Sequence, residues 1–302
     1  MKVLVVGGAG FIGSHVVDAL VKKGYEIVVV DNLSSGKKDF LHPGAAFYSL
    51  NILDEGFVTI FEKERPDAVF HLAAQINVQK SIENSRLDAE VNILGTLKIL
   101  ELCKKHDCKL IYSSSAAVYG NPVYLPVDER HPVKPLSNYG ISKYTPEMYI
   151  SLYSQQYDVD YTILRYANVY GPRQDAEGEG GVVSIFMKKM INNEPPIIFG
   201  NGEQTRDFIY VEDVAAANIA AMEKDCRGVF NISSNQEMTI NSLVDEINSS
   251  LKTKLAPIHK KFRAGDILHS CLNNLLAQNK LGWEPRFSFK EGLKKTVDSY
   301  RQ

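Results

Sequence analysis

The fold class predicted for this chain is α/β, a doubly wound parallel sheet with a smaller mixed α/β lobe toward the carboxyl end, and three observations predict it. The first is the opening, MKVLVVGGAGFIGSHVVDAL. It reads as a buried strand at residues 3–6, a tight glycine turn, and a helix whose apolar residues Phe11, Ile12, Val16, Val17 and Leu20 recur at helical spacing. The second is alternation. Strand-length apolar runs at residues 27–30, 46–50, 68–72, 109–113 and 161–164 are mostly separated by helical patterns, the order that winds a parallel sheet with helices on both faces. The third is where this regularity stops: past Tyr166 come a GPR turn, a glycine-rich GEGGVV and a Pro195–Pro196 break, with a turn-rich joint at residues 170–181. The expected division is residues 1–166 for the first domain and 167–302 for the second, with some later segments returning to the first.

Taken in order, the first turn carries the first chemistry. Gly8, Gly10 and Gly13 fit GxGxxG, and Gly7, Gly10 and Gly13 fit GxxGxxG. Missing Cβ atoms permit the tight turn, let backbone N–H groups approach a pyrophosphate, and let the helix pack closely on the strand. The second strand ends in Asp31, near the spacing expected for a carboxylate that grips an adenosine ribose. Together these predict a Rossmann-type dinucleotide site. A carboxylate repels a 2′-phosphate, so NAD is favoured over NADP; Lys37 and Lys38, after the Ser34–Ser35–Gly36 turn, keep NADP as the alternative.

The fifth strand ends in Ser113, Ser114 and Ser115, and a helix is expected over residues 137–157, after another over 81–106. Tyr139 and Lys143 are four residues apart on the second of these, so the ammonium can sit beside the phenol and stabilise its phenolate. A phenol then becomes a usable base.

Composition narrows the class further. The 302 residues are 44% hydrophobic with net charge −2, enough to bury a large core and without the basic footprint of a nucleic-acid or anionic-membrane binder. No apolar run reaches transmembrane length and no signal-type segment opens the chain, so a cytoplasmic protein is expected. Cys103, Cys108, Cys226 and Cys271 form no CxxC pair, which suits a reducing compartment; Cys103, His106 and Cys108 lack a fourth ligand nearby, and no metal is expected.

A series of motifs runs nearly end to end: GGAGFIGSH at the start, DNLSSG after the second strand, HLAAQ at 71–75, SSSAAVYG at 113–120, YGISK at 139–143 and LRYANVYGPRQ at 164–174. It continues with GNGEQTRDFIYVEDVA at 200–215, FRAGD at 262–266 and LGWEP at 281–285. In these the chain resembles the extended short-chain dehydrogenase/reductase superfamily and, within it, the nucleotide-sugar epimerases, closest to the UDP-glucose (UDP-galactose) 4-epimerases.

The resemblance implies a site. Gly7, Gly10, Phe11, Ile12, Gly13, Asp31, Asn32, Ser35, Gly36, Asn51 and Ile52 would hold the adenosine and pyrophosphate of NAD. Leu72, Ala73, Ala74, Gln75, Asn92 and Ser113 would line the path to the nicotinamide ribose, with Tyr166, Tyr139 and Lys143 at the nicotinamide end. Ser115, Tyr139 and Lys143 match the catalytic triad, and Asn168, Val183, Phe199, Arg206, Arg263 and Asp266 match positions that hold UDP. The residue types agree with these roles. Arginines neutralise a diphosphate with directed hydrogen bonds, and an aromatic face stacks on uracil. Arg206 beside Asp207 has an internal ion pair as its alternative, and Phe199 a place in the core.

Ser270 matches the family position that borders the sugar C2 substituent. Its small side chain would leave room for an N-acetyl group, with His269 or Cys271 as alternative determinants. The family also implies a homodimer built on the two long helices, with Ile93, Leu97, Leu100, Met148, Ile150 and Leu152 as candidates for the seam.

Three departures stand out. Asn51 replaces a family aspartate that meets the adenine amino group, Pro146 falls inside the catalytic helix, and Asn273, Asn274 and Leu275 replace a DIS segment. The implied mechanism has Tyr139 take the proton of the sugar 4-hydroxyl as hydride leaves C4 for the nicotinamide; the ketose then turns and receives the hydride on its other face. Ala116 and Ala117 stand where related dehydratases carry acids, which argues against elimination or decarboxylation. A UDP-glucuronate 4-epimerase remains the nearest alternative. A catalytically silent NAD-sensing or scaffold protein is disfavoured because Ser115, Tyr139 and Lys143 are all retained.

Overall fold

The computed structural model describes residues 1–176, 181–262 and 267–301. Its organising element is a sheet whose first six strands are β1 (Lys2–Val6), β2 (Glu26–Asp31), β3 (Ala45–Ser49), β4 (Ala68–His71), β5 (Lys109–Ser115) and β6 (Tyr161–Tyr166). Four short strands follow, β7 (Asn168–Tyr170), β8 (Ile197–Phe199), β9 (Thr205–Arg206) and β10 (Phe208–Tyr210), before β11 (Gly228–Ile232) returns to pair with β6. The resulting order, β11-β6-β5-β4-β1-β2-β3, is parallel throughout. This is the doubly wound sheet expected from the alternation, and β11 is the strand that the irregular second half concealed.

Period-two burial explains the layers. On β1, Val3 and Val5 join one apolar layer with Val17 and Leu20 of α1 (Phe11–Lys22), while Leu4 and Val6 join the opposite layer. That second layer includes Phe57 and Phe61 of α2 (Gly56–Glu64). Each fully buried side chain of this size contributes roughly 1.5–3 kcal/mol over exposure.

The helix expected over residues 81–106 is divided. It begins earlier, as α3 (Val78–Glu83), and restarts as α4 (Ser85–Ala89), because Asn84 leaves helical geometry at φ −141° and its side chain accepts from Leu87 N. A π-helical turn at Glu90–Leu94 then leads into α5 (Gly95–His106).

The second long helix, α6 (Asn138–Tyr157), forms as expected. Its N-cap Ser137 accepts from Gly140 N, and the helix continues through Pro146. Pro146 is buried, so packing offsets the backbone bond that proline removes. Leu100 and Ile150, proposed for an intersubunit seam, are 0% exposed and pack in the apolar layer of the chain's own sheet.

The remaining helices are α7 (Val182–Ile191), α8 (Val211–Glu223), α9 (Ile240–Leu251), α10 (Leu275–Leu281) and α11 (Phe289–Tyr300), with short strands β12 (Met238–Thr239) and β13 (Ile258–Lys260) between α9 and its neighbours. A separate core of Phe186, Met187, Tyr210, Leu243 and Val297 unites α7, α9 and α11. Helix α8 instead serves the sheet. Its Val214, Ala217 and Ala221 lie in one layer with Val17 and Leu20 of α1. A fragment ending at residue 166 would therefore lose β11 from the edge of β6 and expose the face of α1, and we expect it to show no cooperative thermal transition by circular dichroism. A sharp transition in that fragment would show that the first six strands suffice.

Candidate active site

The parallel strands all end on one side of the sheet, and a cavity of about 550 Å³ opens there. Its floor is the turn after β1. Gly7 has φ +85°, and a Cβ there would lie 2.5 Å from Ala73 N, so the turn and the loop after β4 meet backbone to backbone. A Cβ on Gly13 would lie 2.0 Å from Gly7 O, which is the close packing of helix against turn that the glycine spacing predicts. Gly10, Phe11, Ile12 and Gly13, at the start of α1, line the cavity.

Asp31 ends β2 at the cavity wall. Its Oδ2 accepts from Ala9 N at 3.0 Å and its Oδ1 from Leu33 N at 2.8 Å. Burial raises its pKa and these two bonds oppose the rise. Asn32, Ser35, Asn51 and Ile52 share the same end of the cavity lining, whereas Gly36 lies behind it, where a Cβ would come within 3.0 Å of Asp31 Oδ1. The Asn51 side-chain oxygen already accepts from Leu53 N at 3.0 Å, so one of its two lone pairs is committed to a turn.

At the other end, Ser113, Ser115, Tyr139, Lys143 and Tyr166 converge with Leu72, Ala73, Ala74 and Gln75. Ser115 ends β5 and accepts from Ala117 N at 3.2 Å. Gly140 packs beneath this turn, where a Cβ would meet Ala117 O at 2.7 Å, and Tyr139 N donates to Ser81 Oγ at 3.1 Å. The first contact sets the start of α6 against the turn after β5, and the second ties it to α3. Asn92 stands behind the wall, 2% exposed: its Nδ2 donates to Gln75 O and Ser142 Oγ, both at 2.9 Å, and its Oδ1 accepts from Gln75 N at 2.8 Å. It holds the lining loop and does not itself line the cavity.

Lys143 is 3% exposed, with Nζ 5.0 Å from the centre of the Tyr112 ring. Burial lowers its pKa to about 8, opposed by the carboxylates of Glu147 and Asp88. His71, at the end of β4, is buried, and burial with the nearby Lys143 charge lowers its pKa to about 3, so it is neutral. Thr96 Oγ1 donates to Asn92 O at 2.6 Å and lies 2.9 Å from His71 Nε2, which makes that ring nitrogen the donor.

Of the residues expected to hold the nucleotide, Asn168 and Val183 line the cavity. Phe199, Arg206 and Ser270 lie outside the lining formed by the described residues, and Arg263 and Asp266 lie outside the described residues altogether. Arg206 donates to Thr205 O at 2.7 Å, while Asp207 turns its carboxylate to Ser234 N, Ser234 Oγ and Leu272 N. Lys80, Leu87, Val91, Gln174 and Phe208 also line the cavity without having been singled out in the sequence. Gln174 closes the GPRQ motif and Phe208 follows RD, so their motifs offered a signal; Leu87 and Val91 read as ordinary helix residues.

Residues 3–233 match the family model described as the NAD dependent epimerase/dehydratase family. The chain belongs to that family. A relative described as a putative UDP-glucose 4-epimerase, from Methanocaldococcus jannaschii, is 47% identical over 98% of this chain and 97% of its own. A UDP-glucose 4-epimerase structure from Thermotoga maritima, with UDP-glucose, superposes at TM-score 0.97 with 47% identity, covering 100% of this chain and 99% of the other. A Thermus thermophilus UDP-glucose 4-epimerase complex with NAD gives 0.93 and 38%, with coverage of 100% and 99%. As a member of an NAD-dependent family, the chain has the residues for that cofactor: a glycine turn whose close backbone packing a Cβ at Gly7 or Gly13 would break, followed by Asp31, with Gly7, Gly10, Gly13 and Asp31 all lining the cavity.

The buried amine has a thermodynamic consequence. Because the Lys143 pKa falls from 10.5 unfolded to about 8 folded, the unfolded chain binds more protons between these values and stability rises with pH across that window. Below about 8 the full penalty applies, on the order of 3 kcal/mol. Lys143→Met should therefore raise the thermal midpoint of the ligand-free protein at pH 7, with a smaller gain at pH 10. Equal gains at the two pH values, or a loss at pH 7, would contradict the assignment.

Proposed function

We propose that this protein is an NAD-dependent UDP-glucose 4-epimerase, inverting C4 of UDP-glucose and UDP-galactose through a transient 4-ketose. The observation that carries the reading is the convergence of Ser115, Tyr139 and Lys143 with the glycine turn and Asp31 in one cavity, in a chain whose near full-length relatives bear that name. In this reading residues 1–166 hold the cofactor, residues 167–302 hold the nucleotide sugar, and β11 and α8 return to the first part.

Bound NAD would supply a reversible acceptor for the hydride of the sugar C4. Tyr139 takes the proton of the 4-hydroxyl, and the Lys143 ammonium stabilises the phenolate that does so. Ser115 hydrogen-bonds the 4-oxygen and holds it toward Tyr139. Asn168 and Val183 line the cavity where the nucleotide sugar would sit, and Phe199, Arg206, Arg263 and Asp266 are the further residues that the family resemblance assigns to UDP. Asp31 takes the adenosine ribose, and the remaining nucleotide-end residues named from the motifs take the pyrophosphate and adenine. With Ala116 and Ala117 following Ser115, no acid stands there to drive elimination. Tyr139→Phe should retain NAD, measured on the denatured protein, and lower turnover about 10²- to 10⁴-fold; near-normal turnover would remove Tyr139 from this role.

Ser270 is the residue we assign to sugar selection. Its neighbours are committed elsewhere: the His269 ring bonds Thr205 Oγ1 at 3.1 Å, and Cys271 is 4% exposed with its carbonyl accepting from Val127 N at 2.8 Å. We expect C4 inversion, followed by NMR, on both UDP-galactose and UDP-GalNAc, and loss of the second alone in Ser270→Tyr. Activity confined to UDP-galactose in the wild type would refute the open gate.

The quaternary reading is a homodimer. Leu94, Ile141, Met148 and Leu152 are 54%, 49%, 50% and 44% exposed on the π-helical turn and α6, a face with the apolar character of a subunit seam. A monomeric mass in light scattering at micromolar concentration would overturn it. Free cysteines at all four positions agree with a cytoplasmic setting, and no described helix is long and apolar enough to cross a membrane.

A further inference from the structure

Behind the cavity, Glu147 lies one helical turn after Lys143 and is 4% exposed. Its Oε1 accepts from Ser114 Oγ at 2.5 Å and from Arg165 Nε at 3.0 Å, and its Oε2 from an Arg165 terminal nitrogen at 2.5 Å. Ser114 and Arg165 are neighbours across β5 and β6, 2% and 4% exposed, and the guanidinium stacks 4.7 Å from the centre of the Tyr119 ring. A buried ion pair is weak evidence for stability, because desolvation consumes much of its attraction. Here its location gives it a second consequence. The carboxylate joins the two strand ends that carry Ser115 and Tyr166 to the helix that carries Tyr139 and Lys143.

We propose that Glu147 is a positioning residue of the catalytic site: clamped by Arg165 and Ser114, it locks α6 to the ends of β5 and β6 and supplies the negative charge nearest along the helix to the buried Lys143 ammonium. The proposal rests on the roles given above to Tyr139 and Lys143. The groups around that ammonium are Glu147 on α6, Asp88 on α4, neutral His71 on β4 and Tyr112 on β5; Tyr139 of α6 lines the same cavity, and Arg165 of β6 pairs with Glu147. Glu147 and Asp88 are the two that favour the charged amine, Glu147 the more strongly. Removing the Glu147 charge makes the ammonium lose its proton at lower pH, and the phenolate loses its partner over the same range.

The test is a titration of the full chain with NAD bound, carrying lysine labelled with ¹³C at Cε, with the Lys143 signal identified by its loss in Lys143→Met. In Glu147→Gln, whose amide still accepts from Ser114, the Lys143 midpoint should fall by about one pH unit, a tenfold loss of proton affinity. The alkaline limb of kcat/KM should move down with it. If that variant does not fold, Glu147→Leu combined with Arg165→Met replaces the pair with apolar side chains of similar size, and its midpoint should also fall. An unchanged midpoint in whichever of these variants folds overturns the proposal, even if turnover drops, because a merely structural clamp would lower stability without moving the titration. Absence of C4 inversion in the wild type would defeat the proposed function instead, and the titration would still decide this one.

Discussion

A charged amine taken out of water must be given partners that hold its charge, and around Lys143 this requirement organises one half of the cavity. Each carboxylate that helps is itself held. Glu147 is fixed by Arg165 and Ser114, and Asp88, 1% exposed, accepts from Gln75 Nε2 at 2.7 Å and Asn92 Nδ2 at 3.2 Å. Asn92 in turn reaches Ser142 on α6. The loop that lines the cavity and the helix that carries the proposed base are therefore bound into one polar network. The π-helical turn at Glu90–Leu94 contains Asn92; an extra residue in the turn alters where its side chain emerges, and such turns recur at functional sites.

The other half of the cavity obeys a backbone constraint. With every strand of the seven-stranded sheet parallel, the ends of β1, β2, β4, β5 and β6 open on the same side, so Asp31, Ser115 and Tyr166 line one cavity despite their distance in sequence. The glycine turn makes this edge usable by a phosphate. Gly7 allows the loop after β4 to pass at contact distance, Gly13 seats α1 against the turn, and the helix N-terminus presents unpaired N–H groups to the cavity.

What the sequence made legible follows from how local each signal is. The six early strands, the glycine turn and α6 are written in contiguous patterns, and all form within a residue or two of expectation. The cavity end containing Ser115, Tyr139 and Lys143 was legible because a helical repeat and a strand end are short-range features. Strand β11 was not, because GVFNI is an unremarkable apolar run until β6 offers it an edge. The break at Asn84 was lost for a similar reason. Asparagine is tolerated within a helix or stops one according to whether its side chain finds a backbone donor, here Leu87 N. Asn92 was named as part of the lining but serves the layer behind it, and Glu147, which no motif singled out, is visible only when Arg165 arrives from another strand.

The second half of the chain is governed by buried acids that face backbone donors. Asp207, 0% exposed, joins the loop at Ser234 to the segment at Leu272, and burial lifts its pKa to about 6 against the bonds it accepts. Asp213, 1% exposed, accepts from Arg286 N at 2.9 Å and Phe287 N at 3.3 Å, while its carbonyl receives the Trp283 indole N–H at 2.9 Å. Both aspartates belong to the stretch that runs from β9 into α8, and α8 packs against α1 beneath the glycine turn. Ser234, Leu272 and the segment 283–287 are thereby tied to the stretch that reaches the sheet through α8. The proposed inversion, in which the sugar presents each face in turn to one hydride acceptor, needs walls that do not follow the sugar as it rotates. A lobe tied to the sheet through desolvated carboxylates, each costly to release, meets that requirement better than one resting on exposed ion pairs.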